Sequence, residues 1–134
     1  MMKSGTYYIG DLCYVLNDRW DEFCALTIAG DKVLDGEFNL ADGTRFATFT
    51  TQWGDGTYRD EQGREYGVDA GLIGCIAVED IAATELANIK NGHIVEFVQP
   101  FSTWSAGGEI RIGNVLIDTD YTEVELELEE EEEY

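Results

Sequence analysis

Short runs of apolar and β-branched residues, separated by Gly, Asn and Asp, recur along most of the chain and predict β-strands. The first run is Thr6–Ile9. After Gly10-Asp11, the segment Leu12–Leu16 is expected to resume the same strand, with a bulge that re-aims the Asp11 side chain. The segment Leu72–Val78 is apolar throughout, so we expect a strand that is buried on both faces.

Turn residues between such runs predict three β-hairpins. Asp42-Gly43 is a strong hairpin signal, and Gly113-Asn114 fits a type II′ turn because glycine takes its first central position. The third turn, around Glu61-Gln62-Gly63, is expected to join two polar strands. The predicted pairs are 36–41 with 44–51, 57–59 with 65–68, and 109–112 with 115–118.

One segment has helical periodicity. Asn17 or Asp18 is a suitable N-cap, and the inward positions of the helix would be Trp20, Phe23, Cys24 and then Thr27 or Ile28. Gly30 is expected to end it. A second, less regular helix is predicted from Glu79-Asp80 to about Lys90, followed by a weakly alternating strand that begins at His93 and stops before Pro100.

The C-terminal residues alternate strictly between acidic and apolar side chains. This alternation over Glu123–Glu129 predicts a last strand at about 122–128 with its acids facing solvent, and residues 129–134 form an acidic tail. The whole chain is expected to form one α+β domain over residues 1–128. Its main element would be an antiparallel sheet of about eight or more strands, either open or curled toward a barrel, with one or two short helices.

The charge balance has the largest effect on which partners the sequence predicts. The 134 residues include 28 acids and 8 bases, which gives a net charge of −20, although a hydrophobic content of 44% is typical of a folded protein. Ten acids lie between Asp118 and Glu133, so residues 1–117 still carry −10. Such a balance argues against direct nucleic-acid binding, which needs Lys and Arg, and it favours basic protein partners.

The sequence contains few signals that indicate a cellular compartment. No apolar run reaches the roughly 20 residues of a membrane helix, and Met1-Met2-Lys3 does not begin a secretory signal. The three cysteines are odd in number and widely spaced, which is typical of free thiols in a reducing cytosol. The oligomeric state is left open.

Catalytic and metal signals are weak. His93 is the single histidine and has no local Ser or Cys signature, so no catalytic residue is predicted, although a Cys13/His93 dyad stays open. The scarcity of His and the wide Cys spacing argue strongly against a zinc site, and no metal or other cofactor is expected. Cys13, Cys24 and Cys75 are interpreted as small buried apolar residues.

The stretch Trp53–Gly74 contains six glycines and five acids and is the candidate small-ligand centre. Asp11, Asp55 and Asp69 each lie beside or near glycine at a predicted turn, and the fold could bring the three carboxylates together to bind a cation or to serve acid–base chemistry. The alternative is that Asp and Gly simply form turns there. Trp104 is expected in an exposed loop. The ligand-binding candidates are Asp11, Asp55, Tyr58, Asp69, Arg59 and Trp104.

The acidic C-terminus is the candidate partner-binding surface. In an extended strand, alternate carboxylates would repeat every ~6.5–7 Å, which resembles the phosphate spacing of one nucleic-acid strand. The alternative is a solvated tail that aids solubility. The candidate residues are Glu123, Glu125, Glu127, Glu129, Glu130, Glu131, Glu132 and Glu133.

Three segments together resemble a family of small uncharacterised proteins of tailed phages and bacteria. They are Gly5–Leu16 (GTYYIGDLCYVL), Gly54–Tyr58 (GDGTY) and Tyr66–Gly74 (YGVDAGLIG). The resemblance covers roughly the first 80 residues, and the chain has Leu12 where the family pattern has proline. It implies a phage or bacterial origin and a location in the host bacterial cytosol, but it implies no activity.

Three functional hypotheses follow. The first is an acidic, non-enzymatic binding protein, in its sharper form a phage-type inhibitor of a basic nucleic-acid-handling or host-defence protein through partial nucleic-acid mimicry. The second is a nucleotide-binding or metal-binding module, or a hydrolase, centred on Asp11, Asp55 and Asp69. The third is a structural or assembly component.

Overall fold

Two five-stranded antiparallel sheets pack face to face and enclose the larger hydrophobic core. The computed structural model describes residues 1–87, 89 and 91–119. In the first sheet the strand order is β4-β5-β8-β1-β9, and in the second it is β10-β11-β12-β6-β7. A separate small hairpin pairs β2 with β3. The strands are β1 Gly5–Gly10, β2 Ile28–Ala29, β3 Lys32–Val33, β4 Gly36–Asn39, β5 Arg45–Thr50, β6 Gly56–Asp60, β7 Glu65–Val68, β8 Leu72–Ala77, β9 His93–Phe97, β10 Thr103–Ala106, β11 Glu109–Ile112 and β12 Val115–Asp118.

Helical segments cover the outer face of the first sheet. The α-helices are α1 Trp20–Thr27 and α2 Ala83–Leu86, and three short 3₁₀ turns occupy Leu12–Tyr14, Asn17–Arg19 and Val78–Asp80. Phe23 of α1 packs with the 3₁₀ residue Leu12 and with Phe46 of β5 in a second core. The molecule therefore has three layers, with helical segments on one sheet and a second sheet on its other face.

The central strands explain how one sheet supports two cores. Tyr7 and Ile9 of β1 point into the core between the sheets, whereas Tyr8 points into the core beneath the helical layer. All six residues of β8 are buried, because this strand lies in the middle of the sheet and is covered on both sides. The prediction of a strand buried on both faces is thus confirmed over residues 72–77, whereas Val78 already belongs to the following 3₁₀ turn.

The predicted fold class is confirmed. The described chain forms a single domain, mainly of antiparallel sheet with a few short helices, and the sheets are not closed into a barrel. All three predicted hairpins are present, as β4–β5, β6–β7 and β11–β12. Gly113 has φ 58° while no non-glycine residue has positive φ, which agrees with the predicted type II′ turn.

Three local predictions were wrong, and a fourth is not tested by the described residues. Residues 12–14 form a 3₁₀ turn and not a resumed strand, because the Asp11 side chain caps the backbone N–H of Cys13. The helix ends at Thr27, since Ile28 already pairs with Val33, and Gly30 with φ 65° forms the turn of that hairpin. The second helix spans only Ala83–Leu86. The predicted last strand at 122–128 and the tail at 129–134 lie outside the described residues.

Candidate functional site

Asp11 is a fully buried carboxylate whose oxygens accept main-chain hydrogen bonds. Its Oδ1 accepts from the N–H of Cys13 at 2.9 Å, and its Oδ2 accepts from the N–H groups of Asp69 and Ala70 at 2.8 and 2.6 Å. Several N–H donors stabilise a buried carboxylate without a cation. Asp11 therefore joins the end of β1 to the turn between β7 and β8.

Tyr8 is a second buried group of this junction. Its hydroxyl lies 2.8 Å from the carbonyl oxygen of Asn91 and 3.1 Å from that of Asp11, and it donates its proton to them. Burial, with the charge of Asp11, raises the pKa of Tyr8 far above its ordinary value, so the hydroxyl stays protonated. The buried phenol is a fixed donor within the scaffold.

Two glycines make room for the Tyr8 ring. A Cβ at Gly10 would lie 2.6 Å from the Tyr8 hydroxyl oxygen, and a Cβ at Gly92 would lie 2.7 Å from its ring and 2.6 Å from the Ile9 carbonyl oxygen. Both separations are too short for real atoms. Tyr8, Gly10, Asp11 and Gly92 thus specify a close-packed chain junction.

Two of the three predicted residues, Asp11 and Asp69, come together, but not through their two carboxylates. Asp69 contributes its backbone N–H to Asp11, and its exposed carboxylate accepts a hydrogen bond from the Tyr14 hydroxyl at 2.6 Å. Asp55 is exposed in the turn before β6. Among the described residues, no group of three or more His, Cys, Asp or Glu side chains is arranged to hold a metal ion. The convergence that the sequence predicted is therefore one of a side chain with main-chain donors.

The other ligand-binding candidates divide between the interior and the second sheet. Tyr58 is buried, and its hydroxyl donates to the Gly54 carbonyl at 2.9 Å. Arg59, the next residue, is exposed and pairs with Glu65 at 3.6 Å. Trp104 lies in β10 and not in a loop, is 41% exposed, and has the Arg111 guanidinium 5.6 Å from its ring centroid. These residues do not form one pocket with Asp11.

The Cys13 thiol and the His93 imidazole have separate structural roles. Burial, a hydrogen bond to Asp11 and that residue's charge raise the pKa of Cys13 to about 12, so its thiol is protonated at neutral pH and is a poor nucleophile. His93 Nε2 lies 2.7 Å from the Glu65 carbonyl oxygen, and its ring packs edge-on against Tyr66. Neither environment resembles that of a Cys–His dyad.

A buried polar cluster in the β6–β7 hairpin was missed in the sequence. Asp60 Oδ2 accepts from the Tyr66 hydroxyl and from Arg64 Nε, each at 2.7 Å, while Oδ1 accepts two main-chain N–H groups. Burial acts to raise the pKa of Asp60, but these hydrogen bonds outweigh it and hold the pKa below its ordinary value. Strand alternation could have found it, because Asp60 shares the inward face of β6 with Tyr58.

A cleft of about 490 Å³ opens at one end of the first sheet. Its lining includes Lys3, Tyr7, Thr44, Arg45 and Asp80, so it is mixed in charge. Lys3 pairs with Glu79 at 3.2 Å, and Arg45 pairs with Glu37. Burial and the nearby charge of Glu79 raise the pKa of Asp80, a perturbation that functional carboxylates often share.

Ion pairing leaves the surface strongly acidic. Five of the seven basic side chains in residues 1–87, 89 and 91–119 pair with acids, and Arg111 lies over Trp104. In that same part of the chain, nine exposed carboxylates make no ion pair. They are Asp18, Asp21, Asp31, Asp35, Asp55, Glu61, Asp69, Asp80 and Glu96.

Comparison with known proteins gives no family model, curated protein or solved structure that matches this chain. The candidate partner-binding residues Glu123 to Glu133 lie outside the described residues. Within the described residues, no helix is both long and apolar enough to cross a membrane. The functional argument therefore rests on charge and geometry.

Proposed function

We propose that the protein is an acidic, non-enzymatic binding protein that engages a basic protein partner. The observation that carries this proposal is the surface of nine exposed carboxylates outside any ion pair in the described chain. The basic side chains are mostly paired with acids, so little positive charge offsets this field. A surface potential of one sign steers an oppositely charged partner and selects against others.

The sharper form of the proposal is inhibition of a nucleic-acid-handling or host-defence protein of a bacterium. The C-terminal glutamates 123–133 add eight charges to a body that is already acidic. In an extended strand their repeat is close to that of phosphates, so they would compete for a basic nucleic-acid channel. The resemblance of 5–16 and 66–74 to phage proteins supports the choice of a bacterial target.

The test begins with capture of a partner from a bacterial lysate, its purification, and titration with three forms of the protein. One form is the full chain, one ends at Thr119, and one keeps the full length with Gln at all eight glutamates of 123–133. The truncation keeps Thr119 because its buried hydroxyl accepts the N–H of Gln52 at 3.0 Å. The Gln form is the matched control, since it separates charge from chain length.

The expected results are specific. Affinity should fall by about tenfold or more between about 50 and about 300 mM NaCl, because salt screens charges in both partners. Both altered forms should lose affinity, and the full chain should displace a duplex oligonucleotide from the partner. If the truncated form binds and displaces as well as the full chain, the mimicry is excluded. If salt has no effect, the electrostatic basis is wrong.

A second candidate function is the binding of a small polar molecule in the cleft between Lys3, Arg45 and Asp80. The observation that favours it is Asp80, an exposed carboxylate at the cleft whose pKa is raised by partial desolvation and by the charge of Glu79. Two cationic side chains also line the cleft. The Asp11-centred form of this hypothesis has less support, because the Asp11 oxygens already accept three main-chain hydrogen bonds.

A melting-temperature screen with nucleotides, sugar phosphates and divalent metals tests the cleft hypothesis, since a ligand that binds the native state raises the melting temperature. Loss of any shift in Asp80→Asn, with Asp55→Asn unaffected, would assign the ligand to the cleft.

A further inference from the structure

Exposed apolar side chains concentrate in one short segment of the fold. Nine large apolar residues of the described chain are exposed, and four of them fall within residues 26–34. They are Leu26 at the end of α1, Ile28 and Val33 in the β2–β3 hairpin, and Leu34 directly after it. Single exposed apolar residues are ordinary, whereas a contiguous group marks an interaction site.

The hairpin places two of these side chains together. Ile28 and Val33 are directly opposite each other in the antiparallel pair, so their side chains project from the same face. They are 47% and 49% exposed. Ile28 was one of two alternatives for an inward helical position, and the structure assigns that position to Thr27, which is 1% exposed. The hairpin that follows α1 therefore exposes an apolar pair, Ile28 and Val33, to solvent.

The hairpin is held in place by polar contacts at its base. The Leu34 N–H donates to the Thr27 carbonyl at 2.7 Å, and the Asp35 carboxylate accepts from the backbone N–H of Thr50 in β5 at 2.9 Å. A two-stranded hairpin with two residues in each strand has little stability of its own. These contacts fix its position without using its apolar face, so that face is free for a ligand.

Exposed acidic residues lie before, between and after the apolar residues along the chain. Asp21 is exposed on α1, Asp31 is exposed in the hairpin turn, and Asp35 follows Leu34, whereas Lys32 is the single base between residues 20 and 35. An apolar centre within a charged rim is the usual arrangement of a protein interface. The charge of the rim selects a basic partner.

The same charge argues against two other occupants. A second copy would bring an identical acidic rim and a net charge of −20 against this one. Residues 120–134 carry nine acids and no base, so the chain's own C-terminus is repelled as well. Bringing like charges together across an interface costs roughly several kcal/mol of binding free energy.

We infer that the exposed apolar pair Ile28 and Val33, with Leu26 and Leu34 beside it along the chain, is the docking surface for an amphipathic segment of a partner that combines apolar and basic side chains. This inference rests on the proposed function, because it takes the partner to be basic. It adds a location for contact that the acidic C-terminus does not supply. An amphipathic helix laid on such a patch is a common mode of recognition.

The test uses two synthetic peptides of about 18 residues with equal charge, designed on the helical period. One places Leu on one face and Lys on the other, and the second replaces every Leu with Ser. The full chain is titrated with each while its backbone amide resonances are recorded. We expect the Leu/Lys peptide to bind about tenfold more tightly and to shift the amides of residues 26–34 most strongly.

Matched variants identify the surface. Ile28→Thr with Val33→Thr keeps β-branched side chains in the hairpin and should remove the advantage of the Leu/Lys peptide. Ile94→Thr with Val98→Thr is the control, because these residues are 49% and 82% exposed in and after β9. The control should leave that advantage unchanged. Circular dichroism of each variant verifies that it is folded.

The outcomes separate this inference from the proposed function. If both peptides bind equally, the hairpin inference is overturned while charge-driven binding stands. If neither peptide binds at low salt, both are overturned. If the Leu/Lys peptide shifts amides elsewhere, or if both variant pairs lose affinity equally, the docking surface has been misplaced. Self-association that is abolished by the hairpin variant would show a second copy to be the occupant instead.

Discussion

The Asp11 carboxylate accepts the backbone N–H of Asp69 at 2.8 Å, although 58 residues separate the two in the chain. The contact connects the first strand of the fold to the turn before β8, the central buried strand. It adds a side-chain link next to the β1–β8 strand pair, whose last paired residues are Gly10 and Gly74.

Replacing Asp11 with Asn should destabilise the protein by about 2–4 kcal/mol, because an amide NH₂ would face main-chain N–H donors that need an acceptor. The isosteric change keeps the volume of the side chain. Asp55→Asn is the matched control, since Asp55 is exposed in a turn, and it should stay within about 0.5 kcal/mol of the parent. Urea denaturation measures both. Equal stability of the two variants would contradict the structural role of Asp11.

Replacing Gly92 with Ala should destabilise the protein by more than backbone strain alone. Gly92 and Gly43 both have φ 90°, but a Cβ at Gly43 meets nothing within 4 Å, whereas one at Gly92 contacts Tyr8 and Ile9. Gly43→Ala therefore measures the cost of positive φ, about 1 kcal/mol. Gly92→Ala should cost at least about 2 kcal/mol more, as overpacking does. Thermal and urea denaturation of the pair give the difference directly.

Asp60 should make stability depend on pH in the acid range. Its pKa is lower in the folded protein than in the unfolded chain, so its contribution is complete above the unfolded-state pKa of about 4 and is lost as pH falls through the folded-state value. Asp60→Asn should therefore cost about 2 kcal/mol at neutral pH and progressively less at lower pH. The measurement is the free energy of unfolding of both proteins across that range.

The neighbouring substitution Glu61→Gln serves as the control for Asp60. Glu61 is exposed, and its replacement removes the same formal charge from the same turn. At neutral pH Glu61→Gln should stay within about 0.5 kcal/mol of the parent. If the loss of unfolding free energy in Asp60→Asn stays constant down to the folded-state pKa of Asp60, the carboxylate contributes through its shape and not through its charge.

Local signals predicted the local part of the fold well. Asp42-Gly43 and Gly113-Asn114 fix hairpins because glycine supplies the φ value that each turn requires, and the run at 72–77 reveals its double burial through the absence of polar residues. Leu12–Leu16 has strand-like composition, yet the cap from Asp11 to the Cys13 N–H turns it into a 3₁₀ segment. There a side chain outweighed residue propensity.

Nonlocal contacts were beyond the sequence. Gly10-Asp11 indicated an unusual backbone position, but nothing nearby shows that its partners are Asp69 and Ala70. Trp104 followed polar residues typical of a loop, whereas pairing with Arg111 places it in β10. Ile28 fitted the helical period until pairing with Val33 drew it into the hairpin. In each case the deciding partner is a residue brought close by the fold.

The junction of Tyr8, Gly10, Asp11 and Gly92 has a consequence for how the sequence evolves. Substitutions there are penalised by packing and by hydrogen bonding whatever the protein binds, so purifying selection should preserve these positions in lineages whose partners have diverged. Shared residues at this junction would then record common ancestry of the scaffold. Divergence of role should be sought in the acidic rim and the hairpin, where mutation leaves the scaffold intact.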